Sequence, residues 1–157
     1  MILVTLGTQN NSFHRLLEEV QKNIDNGKIK EEVVVQSGYT KFKSPNMKIL
    51  DEVPQDEFNK LIDRADLVIT HGGVGSIITA ITKEKKVIAV PRLRKYNEHV
   101  NDHQTEIIES FNEKGYIIGL HDVSELGEAL DKIKDFKPNK YVKNTGKILR
   151  IVEEFIG

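Results

Sequence analysis

The run Asp66-Leu-Val-Ile-Thr-His-Gly-Gly-Val-Gly-Ser76 constrains this chain more than any other stretch. Leu67, Val68 and Ile69 form a short apolar block of the kind that makes a strand buried on both faces. Three glycines follow within four residues, Gly72, Gly73 and Gly75, and Ser76-Ile-Ile-Thr-Ala-Ile81 then opens a helix. A strand, a glycine turn and a helix start, in that order, make a site for an anion. Glycine lets the backbone approach closely, the first helical N–H groups lack partners, and the macrodipole favours negative charge. A ligand-free turn has the same pattern, but Thr70, His71 and Ser76 add hydrogen-bonding groups beside it and weight the reading towards a ligand.

The same unit stands at the start of the chain. Ile2-Leu-Val-Thr-Leu6 is a strand that ends at Gly7-Thr8-Gln9. Phe13, Leu16, Leu17, Val20 and Ile24 then recur at helical spacing, with Asn11 or Ser12 as the expected N-cap and Gly27 as the stop. Further strands are expected over 32–36, 47–50, 86–90 and 116–118. Helices are expected after Pro54 in a first turn, from about 74 to 83, and from 100 to 111. Val123, Leu126, Leu130 and Ile133 mark another, and a last one follows Pro138, with Val142, Ile148, Leu149, Val152 and Phe155 on one side. Strands that alternate with helices through short connections predict a doubly wound, mostly parallel α/β sheet, Rossmann-like, over a single domain spanning 1–157. Such sheets bind ligands beyond the C-terminal strand ends, and both glycine turns fall there. Neither turn reads GxxxxGK[ST], nor GxGxxG with an acidic residue about twenty positions on, which sets aside P-loop NTPases and standard dinucleotide dehydrogenases.

Charge and composition narrow the partners. With 23 basic and 24 acidic residues, the net charge of −1 predicts no nucleic-acid partner. The absence of cysteine removes disulfides, thiolate catalysis and thiolate metal sites, and fits a reducing compartment. The opening strand is too short for a signal h-region and lacks a basic n-region, and no apolar run reaches membrane-spanning length. A cytoplasmic location is expected, with any membrane association made through a partner.

The polar segment from Pro91 to Gln104 follows a strand end and is expected to line the same crevice. Arg92, Arg94 and Lys95 suit phosphate; Asn101, Asp102, His103 and Gln104 suit the hydroxyls of a sugar. The competing reading is a solvated loop in which Asn101 or Asp102 is merely a helix cap. His99 and His103 are four apart and on a helix would share a face as metal ligands can. Val100 stands where HExxH has its glutamate and no third ligand suggests itself, so no metal is expected. His71 is open to three roles: donor to phosphate, general base, or structural histidine.

Leu3-Val-Thr-Leu-Gly-Thr-Gln9, Thr70-His-Gly-Gly-Val-Gly-Ser76, and Pro91 with Glu98-His-Val-Asn-Asp-His-Gln104 together resemble the C-terminal, donor-binding domain of family 28 GT-B glycosyltransferases. Their order and spacing fit over nearly the whole chain. The likeness is closest to the small catalytic subunits of bacterial capsule and exopolysaccharide transferases, and extends to the catalytic subunit of the dolichol-linked N-acetylglucosaminyltransferase. The resemblance implies a UDP-sugar donor and a separate membrane-associated chain that supplies the acceptor-binding lobe. It further implies a lipid-linked saccharide acceptor, inversion at the anomeric carbon, and no cofactor.

Carried over by position, Gly72, Gly73, Val74, Gly75 and Ser76 hold the donor diphosphate, with Gly7, Thr8 and Gln9 facing the same cleft; His71, Arg92 and His99 are further candidates for binding the donor. Asp102, His103 and Gln104 contact the donor sugar or ribose. One departure stands out: the peptidoglycan-synthesising relative has a ribose-holding glutamate where spacing puts Thr79, and a hydroxyl cannot clasp two hydroxyls as a carboxylate does. Glu98 is the alternative ribose ligand. Under this reading the last helix, 140–157, docks the partner chain, and a bulky residue at Gly73 removes anion binding without harming the fold. The alternatives are a non-catalytic nucleotide-binding regulatory subunit and a sugar-nucleotide epimerase.

Overall fold

The computed structural model describes residues 1–141, so the helix expected over 140–157 lies, from residue 142 on, outside the described residues. Six strands form one sheet: β1 (Ile2–Thr5), β2 (Val33–Gln36), β3 (Met47–Leu50), β4 (Leu67–His71), β5 (Lys86–Val90) and β6 (Ile118–Gly119). Their order is β3-β2-β1-β4-β5-β6, and every pairing is parallel. The order reverses direction between β1 and β4, which places the topological switch point there. Thr5 and Thr70 are register partners across it, so the two glycine turns leave the sheet side by side.

Alternation along each strand divides the core into two layers. Ile2, Val4 and Ile69 face Phe13, Leu16, Leu17 and Val20 of the first helical segment, together with Leu126 and Leu130. Leu3, Val34 and Val68 face the other way, against Ile62, Ile77, Ile107 and Phe111. The helices α1 (His14–Asp25) and α5 (Leu126–Lys132) cover the first face; α2 (Gln55–Arg64), α3 (Val74–Thr82) and α4 (His103–Glu113) cover the second. Among the described residues, no helix is long and apolar enough to cross a membrane.

Several element boundaries differ from the sequence expectation. α1 is not capped by Asn11 or Ser12: Phe13 occupies the cap position, fully buried, and its N–H donates to Thr40 Oγ1 at 2.9 Å. Burial of the ring sets the helix start here, and a distant threonine serves the orphan amide. Pro54 stands just before α2 instead of within its first turn. α4 begins at His103, three residues after the expected Val100, because Asn97 turns the chain with a left-handed φ of 57°. Val100 is 76% exposed and so has no buried face to join. β6 forms two residues later than expected, and Val123 opens a 3-10 turn closed by an Asp122–Glu125 capping box before α5 begins.

Candidate functional site

The site grows from the two strand ends at the switch point. After β1 the chain turns at Gly7, whose φ of +73° is a left-handed conformation that glycine adopts without strain. The side chain of Gln36, at the end of β2, grips this turn from both sides. Its Oε1 accepts from Gly7 N–H at 3.2 Å and from Thr5 Oγ1 at 2.7 Å, and its Nε2 donates to Gly7 O at 3.1 Å. After β4 the chain turns at Gly72 and Gly73, and a second buried glutamine plays the matching part. Gln104 Oε1 accepts from Gly72 N–H at 3.0 Å and from Arg92 N–H at 3.0 Å, which joins the β4 turn to the end of β5.

His71 stands between the two turns. A Cβ on Gly7 would lie 2.4 Å from His71 Nε2, and one on Gly73 would lie 2.4 Å from Cε1 and 2.7 Å from Nε2. Both glycines are therefore required by the imidazole itself. A bulky residue at Gly73 would displace the ring, so the expectation that such a change spares the fold is corrected. Gly75 differs, since a Cβ there meets no protein atom within 4 Å. Packing does not explain that glycine, and its open side faces the crevice.

Burial, with the nearby charges of Arg92 and His99, pushes the His71 pKa down to about 3, and the ring is neutral near pH 7. His99 is also held below its ordinary value, chiefly by burial.

Two hollows share the Gly73–Gly75 turn. The first, about 400 Å³, is lined by Gly7, Thr8, His71, Gly73, Gly75, Ser76 and Thr79, with Thr5, Gln36, Gln55 and Phe58. The second, about 200 Å³, is lined by Gln9, Gly72, Val74, His99, Asn101, His103 and Gln104, with Gly73, Gly75 and Ile107. The N-terminus of α3, starting at Val74 with Gly73 as its cap residue, lies at their junction. Its first amides lack intrahelical partners, and its dipole favours an anion there. Thr79 lines the first hollow, but its hydroxyl donates to Gly75 O at 2.8 Å, leaving its oxygen only as an acceptor.

Three expected ligands are placed elsewhere. Arg92 is 1% exposed, and its guanidinium donates to Leu6 O, to Asn11 O at 2.7 Å and to Glu98 O at 3.1 Å, above the Phe13 ring. It ties the β1 and β5 loops together and does not line either hollow. Burial draws its pKa down to about 10, so it stays cationic. Glu98 is equally enclosed. Its carboxylate accepts from Arg15 at 2.8 and 2.9 Å and from Leu93 N–H at 3.0 Å, which leaves it unavailable to a ribose. Asp102 occupies the cap position of α4 without capping it; Oδ1 accepts from Arg94 N–H at 2.8 Å. His99 remains in the loop before α4, so it and His103 do not share a helix face.

Thr5, Gln36, Gln55 and Phe58 were not among the site residues expected from the sequence, although Gln36 carried a signal. It is a polar residue closing an apolar strand at the C-terminal end, where parallel sheets place their ligands.

Residues 1–155 match the glycosyltransferase family 28 C-terminal domain. The chain is 30% identical over 108 residues to the UDP-N-acetylglucosamine transferase subunit ALG13 of Candida glabrata, covering 68% of this chain and 51% of that protein. It is 28% identical over 104 residues to the Candida albicans ALG13, covering 66% of this chain and 34% of the relative. The match thus spans only a third to a half of those proteins' length. In fold, the chain is similar to the solution structure of ALG13, with a TM-score of 0.63 at 19% identity, covering 99% and 96% of the two chains. It is also similar to Acinetobacter baumannii MurG, with a TM-score of 0.55 at 18% identity over 84% of this chain and 40% of the other. With the family 28 match running over residues 1–155, the chain belongs to the glycosyltransferase family 28 C-terminal domain family.

Proposed function

We propose that this chain is the donor-binding, catalytic subunit of an inverting glycosyltransferase. It would move a hexose or N-acetylhexosamine from a UDP-sugar to a polyprenyl-diphosphate-linked saccharide, in capsule or exopolysaccharide synthesis. The observation that carries the reading is the convergence of both glycine turns and the α3 N-terminus on one edge of His71. The first hollow takes the nucleoside diphosphate, with the α3 amides and Ser76 meeting phosphate oxygens and Gln55 and Phe58 lining the nucleoside side. The second takes the sugar, with Gln9, Asn101 and His103 offering hydrogen bonds to its hydroxyls.

Charge that develops on the departing UDP is met by oriented amides and a helix dipole, which act without reorganising as the bond breaks. No metal is required in this reading. The acceptor lobe comes from a second, membrane-associated chain, which recruits this one from the cytoplasm to the inner membrane face. The Candida relatives, named as transferase subunits, support a two-chain enzyme.

Calorimetry with UDP tests the donor site. Binding that persists with EDTA is expected, and no detectable binding at millimolar nucleotide would refute the reading. Reconstitution with the genomic neighbour and a panel of UDP-sugars then identifies the donor. A second reading, a non-catalytic nucleotide-binding subunit, draws on one feature: no carboxylate lines either hollow among the described residues. Transfer by the reconstituted pair, lost when Ser76 and Gly75 are replaced in this chain, would separate the two.

A further inference from the structure

Gln104 is 3% exposed, and its amide is oriented by its surroundings. The backbone N–H groups of Gly72 and Arg92 both point at one atom of the carboxamide, each at 3.0 Å. Two donors converging on one atom identify it as the oxygen, since the reversed amide would set donor against donor. The other end is then the nitrogen, 3.3 Å from His71 Nδ1. An amide nitrogen only donates, so Nδ1 is the acceptor. A neutral imidazole carries one N–H, which must sit on Nε2, the ring edge lying against Gly7 and Gly73.

We propose that Gln104 is a positioning residue that acts through His71, holding its imidazole as the Nε2–H tautomer and so presenting a hydrogen-bond donor to the diphosphate oxygens of a bound nucleotide. This rests on the donor-site reading given above. It reassigns Gln104 from a sugar ligand to the link that carries the orientation of two backbone turns into the crevice. It also removes His71 as the general base, because its lone pair faces inward and is engaged.

The test is long-range proton–nitrogen correlation NMR on the full chain labelled with nitrogen-15 in histidine, with His71 assigned from the signal missing in His71→Asn. At pH 7 an unprotonated Nδ1 and a protonated Nε2 are expected; a protonated Nδ1, or an averaged pair, overturns the proposal. In Gln104→Glu, two backbone donors hold the carboxylate ionised and it accepts from Nδ1–H, so the tautomer reverses. UDP affinity should then fall about ten- to a hundredfold, the loss of one charge-assisted hydrogen bond. A well-folded Gln104→Glu that keeps the wild-type tautomer counts against the proposal. If that variant does not fold, the wild-type tautomer decides alone. Failure of the wild-type chain to bind UDP would defeat the donor-site reading while leaving the tautomer result to stand by itself.

Discussion

His71 occupies the space that a side chain on Gly73 would need: a Cβ there would stand 2.4 Å from the imidazole Cε1. The imidazole makes the same demand of Gly7, whereas a Cβ on Gly75 would meet nothing within 4 Å. The three glycines therefore separate by mutation. Gly73→Ala should cost about 1–3 kcal/mol of stability by overpacking. Gly7→Ala should cost more, because its backbone is also left-handed. Gly75→Ala should leave urea stability unchanged or slightly raised, since alanine is the better helix former, yet weaken UDP binding. Equal stability losses at all three positions would show that Gly75 is held by packing after all.

The buried ring makes a prediction about acid. His71 is pushed from its ordinary 6.5 down to about 3 in the folded protein. Above pH 6.5 both folded and unfolded chains leave it neutral, and it contributes no pH dependence. Below 6.5 the unfolded chain takes a proton that the folded chain refuses, so stability falls as pH falls towards 3. The slope from this residue approaches about 1.4 kcal/mol per pH unit. Urea titrations of wild type and His71→Asn at pH 6, 5 and 4 (set roughly one unit apart to follow that slope) should diverge accordingly. Parallel curves would mean that His71 titrates normally.

Arg92 should behave as a structural clamp. Arg92→Ala leaves the carbonyls of Leu6, Asn11 and Glu98 without this donor, each worth about 1–3 kcal/mol when buried. Thermal and urea unfolding should register the loss directly. Arg92→Lys keeps the charge but cannot span three carbonyls, and should recover only part of it. A stable Arg92→Ala with selectively weakened UDP affinity would restore the arginine to the phosphate site.

In the segment beyond Lys140 the sequence sets apolar residues at helical spacing, ending in Phe155 and Ile156. Deleting it should abolish co-purification with the acceptor-lobe subunit while UDP binding by this chain persists. Survival of the complex after the deletion would disprove the docking role.

The local features were readable because they depend on neighbours in sequence. Apolar blocks such as Leu67–Ile69 give buried strands, the repeat from Phe13 to Ile24 gives a helix, and glycines after each strand give turns. Helix starts were less legible where a distant group served the cap, as Thr40 does for Phe13.

By itself, then, the sequence determined the alternating parallel architecture, the two glycine turns and their place at the strand ends where parallel sheets bind ligands. It did not determine which polar residues face that ligand. Arg92 meets Leu6 from 86 positions away, Glu98 meets Arg15 from 83, and Gln104 meets His71 from 33. A charged residue beside a crevice reads alike whether it points into the opening or into the core. Burial decides between them, because a buried polar group must be paired where it stands. Only the folded sheet brings those partners together, making Arg92 and Glu98 part of the frame and leaving His71, through Gln104, facing the crevice.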